Sequence, residues 1–220
     1  MKTHAREIPL AIEAGFEKGL GHLCMKKFSL IFVLLGLIFA AFPASAKPTV
    51  VIDAGHGGHD RGGSPGQRIA EKPYTLDISR RLSSALRSRG FRTVMTRSGD
   101  YFVSLGQRCA ISNSQYGAIF VSIHLNSGQR EGANGIETYY YSRSSASLAS
   151  ALHSAIVRAA GSENRGLRRR SFYVLSHNAR PAVLCECGFL TNRGEASRLM
   201  SASHRQRIAS AIAAAIDARH

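Results

Sequence analysis

Acidic residues are scarce in this 220-residue chain: 14 Asp and Glu stand against 29 Lys and Arg, a formal net charge of +15. That imbalance calls for an anionic partner, whether nucleic acid, membrane surface or acidic polymer. Nucleic acid is the weakest of these, because the chain has neither an arginine-rich recognition helix nor an aromatic RNA-binding pattern. Cysteine is sparse too, with Cys24, Cys109, Cys185 and Cys187. Without the leader segment described next, three remain, and an odd number excludes a full disulfide framework. A bridge between Cys185 and Cys187 is disfavoured by their single intervening residue. Cys109 paired with one of them, or plain packing of all three, are the alternatives. Repeats, low-complexity tracts and linker-like stretches are also lacking, so residues 47–220 read as a single domain.

One long apolar run is present. Met25-Lys26-Lys27 leads into Phe28–Phe42, and Pro43-Ala44-Ser45-Ala46 follows with small residues spaced as at a processing site. This is the order of a secretory signal peptide, with cleavage expected after Ala46. The run is short for a membrane anchor of about 20 residues, so no stable span is expected after cleavage. Residues 1–24 read as an over-extended reading frame ahead of a start at Met25, or as a long basic leader. Residues 1–46 carry five basic and three acidic residues, so Lys47–His220 keeps 24 against 11. An exported protein of that charge meets cell-wall polymer or anionic lipid, in the periplasm or cell-wall space.

Apolar periodicity lays out the rest. Strands are expected at Thr49–Asp53, Phe91–Thr96, Ala118–His124, Gly135–Tyr141, Phe172–Leu175 and Ala182–Cys187. Helices are expected from Pro73 to Arg89, and over Leu105–Gln115, Ser145–Ala160, Arg193–Met200 and His204–Ala218. Strands alternating with helices predict an α/β fold: one domain, a mostly parallel twisted sheet of about six strands, helices on both faces.

Two of those strands end alike. Val50-Val51-Ile52-Asp53-Ala54-Gly55-His56 and Phe120-Val121-Ser122-Ile123-His124 each deliver a histidine to a carboxyl end, where crevices of open α/β sheets lie. Two imidazoles aimed at one point suit Zn²⁺, and a catalytic zinc takes a third protein ligand and keeps a position for water. Glu71 fits that place, because it leaves the glycine-rich loop just before the Pro73 helix, whose dipole favours negative charge. The strand Ala182–Cys187 holds a single charge, Glu186, and a buried carboxylate needs a cation or proton work to justify it. Alternation sets Cys185 and Cys187 on the face opposite Glu186. Asp53 reads as an acceptor steadying a ligating histidine from behind.

The blocks V-V-I-D-A-G-H-G-G (50–58), E-K (71–72), T-R-x-x-D (96–100), S-L-x-x-R (104–108), V-S-I-H-L-N-S (121–127), G-I-E-T-Y-Y (135–140), N-R-G (164–166) and P-A-V-L-C-E-C-G-F-L-T-N (181–192) resemble, in order, the zinc-dependent N-acetylmuramoyl-L-alanine amidases of type 3. The resemblance covers nearly all of Lys47–His220. It implies peptidoglycan as partner and hydrolysis of the amide between the lactyl group of N-acetylmuramic acid and the stem-peptide L-alanine. It matches His56, Glu71 and His124 to the ligands of one zinc ion, and Glu186 to the general base and acid on a zinc-bound water. Asn126 and His177 are candidates to line the substrate groove. Several members carry a long inhibitory helix between the second histidine and the G-I-E strand. Asn126 to Gly135 is too short for it, so an open site and no activator of that kind are expected. A monomer is expected as well.

Other readings stay open. His59 shares the glycine loop and competes with His56 as a ligand. His153 and His204 read as solvated, and Arg168-Arg169-Arg170 as a solvated run or an anion-holding patch. Arg97, Asp100 and Arg108 read as a structural ion-pair network. A zinc peptidase acting within stem peptides, or a wall-binding module without catalysis, are the rival functions. The role in cell division, remodelling or recycling is left open.

Overall fold

The structure, a computed structural model, describes residues 47–64, 67–128 and 132–220. The leader and start-site expectations concern residues 1–46 and lie outside the described residues, as does part of the 126–135 connection. In chain order the elements are β1 (Val50–Ala54), α1 (Lys72–Arg87), β2 (Thr93–Met95), α2 (Leu105–Asn113), β3 (Ile119–Asn126), β4 (Ile136–Tyr140), α3 (Ala146–Ala160), β5 (Asn164–Arg169), α4 (Tyr173–Ser176), β6 (Ala182–Phe189), α5 (Arg193–Met200) and α6 (Ala202–Asp217).

The six strands form one sheet in the order β2-β1-β3-β6-β4-β5. Every neighbouring pair is parallel except β4 with β6. Period-two alternation divides each strand between two layers. Val50, Ile52, Val121, Ile123, Cys185 and Cys187 join α1, α3 and α6 in the larger core. Val51, Phe120 and Leu184 face the other way, onto Cys109 of α2 and Val174 and Leu175 of α4. Helices thus cover both faces. The larger layer is sealed by fully buried Ile78, Leu82, Leu152, Ile156, Ile208 and Ile212, each worth about 1.5–3 kcal/mol when removed from water.

Local signals explain the ends. Pro73 occupies the first turn of α1, where its missing N–H costs nothing. Ser104 and Gln107 form a reciprocal cap on α2. Gly161 closes α3 in the left-handed conformation.

The structure departs from the sequence expectations in four places. Phe172–Leu175 is not a strand: Tyr173–Ser176 is a short helix, and a four-residue apolar run carries no period to tell the two apart. β5 was hidden in Asn164–Arg169, whose charged residues give no alternation; charge is usual on an edge strand, where it discourages pairing with other chains. Cys109 cannot reach Cys185 or Cys187, because the sheet lies between them; all three are buried free thiols. His153 and His204 are likewise buried, not solvated. His153 bridges Thr138 Oγ1 (3.1 Å) and Asn164 Oδ1 (2.8 Å), tying α3 to β4 and to the start of β5.

Candidate active site

The site grows from the α2/α4 face of the sheet, at the carboxyl ends of β1, β3 and β6. Register places Asp53 beside Ser122 and His124 beside Glu186. The antiparallel β4 brings Glu137 beside Glu186 on its other side. His124, Glu186 and Glu137 therefore form a row across three adjacent strands, spaced by about 4.8 Å per strand.

His56 lies just past the end of β1 with φ of 61°, the only positive φ outside glycine among the described residues. A non-glycine residue held there marks strain imposed by its surroundings. Arg108 fixes the turn by donating to the carbonyls of Ala54 (2.7 Å) and His56 (2.8 Å). The turned imidazole points Nε2 at Glu71 Oε2 (3.1 Å) and Nδ1 at Asp60 Oδ2 (2.9 Å). Two glycines make room for this cluster. A Cβ on Gly55 would come within 2.5 Å of the His124 ring, and one on Gly62 within 2.6 Å of both Glu71 and His56.

Glu71 sits at the N-cap position of α1 yet does not cap it. Its buried carboxylate turns instead to His124 Nδ1 (3.0 Å) and the Leu125 amide (2.8 Å). The two imidazoles stand 4.8 Å apart at 78°. One donor atom each from His56, Glu71 and His124 falls within 4.8 Å of the others. Burial alone would raise the Glu71 pKa, but His124 and His56 pull it down to about 2. Burial would depress the His124 pKa, but Glu71 lifts it to about 9. Two imidazoles and an ionised carboxylate, clustered without an intervening side chain, are a donor set that fits Zn²⁺.

Glu186 is half-buried, and its Oε2 reaches neither solvent nor a hydrogen-bond partner. Burial raises its pKa to about 7, with Glu71 and Glu137 adding to the rise and His124 opposing it. A carboxyl poised near neutrality beside a metal-type cluster can both take and return a proton.

The chain matches the model of the N-acetylmuramoyl-L-alanine amidase family over residues 50–218. The chain belongs to that family. By membership it is an enzyme of the N-acetylmuramoyl-L-alanine amidase class. YqiI of Bacillus subtilis (strain 168), itself uncharacterised, is 38% identical over 197 residues, covering 86% of this chain and 95% of YqiI. The N-acetylmuramoyl-L-alanine amidase LytC of the same organism is 36% identical over 168 residues, 74% of this chain but 34% of LytC. Among solved structures, the catalytic domain of the amidase CwlV from Bacillus (Paenibacillus) polymyxa var. colistinus superposes with a TM-score of 0.75 at 36% identity, covering 78% of this chain and 97% of that one. AmiC2 of Nostoc punctiforme gives 0.73 at 40% identity, covering 79% and 97%.

Within this amidase fold, not every candidate residue joins the cluster. Asp53 touches no histidine: it accepts from Thr96 (2.6 Å), Ser122 (2.7 Å) and Arg108 (2.7 Å). Burial would raise its pKa, and the Arg108 guanidinium and both hydroxyls hold it below the usual range. The acid behind His56 is Asp60, whose place four residues on, past three loop residues, gave no periodic signal. Asn126 donates to Glu137 Oε2 (2.8 Å) and shapes the row from one side. His177 is exposed and stacks on Tyr173. Asn113 at the far end of α2 binds its carbonyl, so it stands at the other end of the sheet from Glu186. His59 is exposed and lies against Phe102 with centroids 4.3 Å apart. Of the network expected from Arg97, Asp100 and Arg108, two separate ion pairs form with partners outside it, Arg108 with Asp53 and Asp100 with Lys72. Arg97 is not part of them; fully buried, it donates to the carbonyls of Ala54, Gly55, Lys72 and Gly99. Glu137 stood in the sequence only as the acid of the G-I-E-T-Y-Y block, with nothing to set it beside Glu186.

Proposed function

We propose that Lys47–His220 hydrolyses the amide joining the lactyl group of N-acetylmuramic acid to the L-alanine of the peptidoglycan stem peptide. The observation that carries this reading is the convergence of His56, Glu71 and His124 within 4.8 Å beside the half-buried Glu186, whose Oε2 is buried and unpartnered. His56, Glu71 and His124 would hold one zinc ion, which when bound polarises a carbonyl and lowers the pKa of water toward neutrality. Glu186 takes a proton from the water as its oxygen attacks the lactyl carbonyl carbon. It returns that proton to the alanine nitrogen as the C–N bond breaks, and the second water proton passes from the new carboxyl group to the amine, leaving a carboxylate and an ammonium group. An amine leaves poorly without that proton.

Export places this chemistry in the periplasm or cell-wall space, as the apolar run before Lys47 suggests. Among the described residues no helix is long and apolar enough to cross a membrane. The 126–135 connection is short, which supports a site that needs no displacement of an inhibitory helix. The excess of basic residues favours binding to an anionic wall polymer.

Digestion of purified sacculi tests the reading. The expected products are peptide-free glycan strands and stem peptides with a free L-alanine amino group, with Glu186→Gln releasing neither. Cleavage within the stem peptide, with the lactyl–alanine bond intact, would overturn it in favour of a peptidase.

A further inference from the structure

We infer that Arg168, on the edge strand β5, is a specificity-determining residue that receives a carboxylate of the stem peptide, in a subsite continuing the row His124–Glu186–Glu137. The inference rests on the peptidoglycan reading above.

Charge counting motivates it. Glu137 carries one negative charge and faces two guanidiniums, Arg165 Nε at 3.0 Å and Arg168 Nη2 at 3.6 Å. Its Oε2 is already taken by Asn126 (2.8 Å) and Tyr139 Oη (2.6 Å). Arg165 is further committed to the Asn134 carbonyl and to the Phe189 ring. Arg168 has only a 3.3 Å contact to the Arg165 carbonyl besides, and its side chain is 44% exposed. Among the described residues neither arginine has a second carboxylate within ion-pair distance. One full positive charge is left over, and Arg168 carries it.

Register says where that charge points. Arg168 pairs with Tyr139, and Tyr139 with Leu184 of β6, on the face that bears Glu186. Gly166, opposite Glu137, adds no side chain between Glu137 and the sheet edge. Two strand spacings separate Glu186 from β5, about 10 Å. An extended peptide advances about 3.3 Å per residue. A stem peptide cleaved at Glu186 and running across Glu137 therefore brings the carboxylate of its second residue within the span of the Arg168 side chain. The planar guanidinium can meet a carboxylate with two parallel hydrogen bonds, which a lone ammonium cannot.

The test uses peptidoglycan polymerised in vitro from precursors whose second stem residue is D-glutamate or D-isoglutamine, so that only one carboxylate becomes a carboxamide. The purified protein with its metal should cleave the glutamate polymer with kcat/KM about tenfold higher, the order expected of one charge-assisted hydrogen bond. Arg168→Gln should bring the glutamate rate down to the isoglutamine rate and leave the latter unchanged. Arg168→Lys, which keeps the charge and serves if the glutamine variant fails to fold, should retain part of the preference. Arg158→Ala removes the same net charge from an exposed position on α3 and should keep the preference whole. An equal fall on both polymers would mean general attraction to polyanions and overturn the inference. So would a preference that survives Arg168→Gln, or one lost in Arg61→Ala on the loop that follows His56, across the His56–Glu71–His124 cluster from β5. If wild type releases no peptide from either polymer, the amidase reading fails and takes this inference with it; cleavage of both at one rate defeats this inference alone.

Discussion

Replacing Glu186 with glutamine should raise stability while removing activity, and the size of the gain follows from the site. The carboxyl titrates at about 7 in the fold against an ordinary 4.5, with burial as the main cause. Each pKa unit corresponds to about 1.36 kcal/mol, so a shift of some 2.5 units sets a ceiling of about 3 kcal/mol on the penalty of holding the charge. Part of the side chain still meets solvent, which screens the charge and brings the figure to about 2 kcal/mol. The sign runs against the usual carboxylate. The fold keeps a proton that the unfolded chain releases above about pH 4.5, so the penalty is absent below that pH. It grows as pH rises and is complete above about pH 7. Glutamine is neutral throughout and never incurs it.

In metal-stripped protein followed by circular dichroism, wild type and Glu186→Gln should therefore melt together near pH 4.5. They should separate by about 4–8 °C at pH 8, taking about 2–4 °C per kcal/mol for a domain of this size. A bound cation would offset the buried charge, so zinc should narrow the gap. Metal analysis should find about one zinc in both proteins, because Glu186 is not among the three clustered donors. Turnover on sacculi should fall by about 10²–10⁴-fold, the range for loss of a general acid–base group. A variant that melts with wild type at pH 8, or that keeps turning over, would refute the reasoning.

Other perturbations separate the site's parts. Asp60→Asn leaves His56 in place but takes away the carboxylate on its Nδ1; zinc affinity should drop about 10–100-fold in a competition titration with a chromogenic chelator. Arg108→Ala strands the buried Asp53 charge and frees the His56 carbonyl, which should cost about 3–5 kcal/mol in urea denaturation. The double variant Asp53→Asn/Arg108→Ala should lose less than the two single losses added together, and simple additivity would show that the pair does not act as a unit. Chelation should abolish activity and zinc should restore it, whereas His124→Ala should bind no metal even at excess zinc.

The strand-borne part of this site was legible in the sequence because strands announce themselves by alternation. His124 and Glu186 interrupt apolar runs, and an interruption of a buried period needs a chemical reason. The same alternation sets Cys185 and Cys187 in the larger core and Glu186 on the other face. Glu71 was legible for a different reason, as an acid at the mouth of a helix that begins with proline. Asp60, by contrast, reaches His56 through a loop, where spacing carries no geometry. Asp53 was misassigned because the sequence cannot show that Arg108, 55 residues away, arrives to claim it. β5 failed for the opposite reason: its residues are charged because it is an edge, so the property that protects it also erases its signal.

What holds the row of His124, Glu186 and Glu137 in line is less visible still. Slipping β6 by one residue would bring a cysteine to the place of Glu186, since side chains alternate with a period of two. The apolar face of β6 resists such a slip, but β4 is antiparallel and has its own freedom to slide. Glu195, in the first turn of α5 and 3% exposed, accepts from the Phe189 amide at the end of β6 (2.7 Å) and from the Gly135 amide just before β4 (3.1 Å). It also accepts from the Ser162 hydroxyl just before β5. One carboxylate thus pins the site-side ends of the three strands that carry Glu186, Glu137 and Arg168. Asn192 caps α5 by accepting from the Gly194 and Glu195 amides, which fixes where that carboxylate stands. The alignment of Glu186 with Glu137 and Arg168 therefore depends on a helix cap on the opposite face of the sheet.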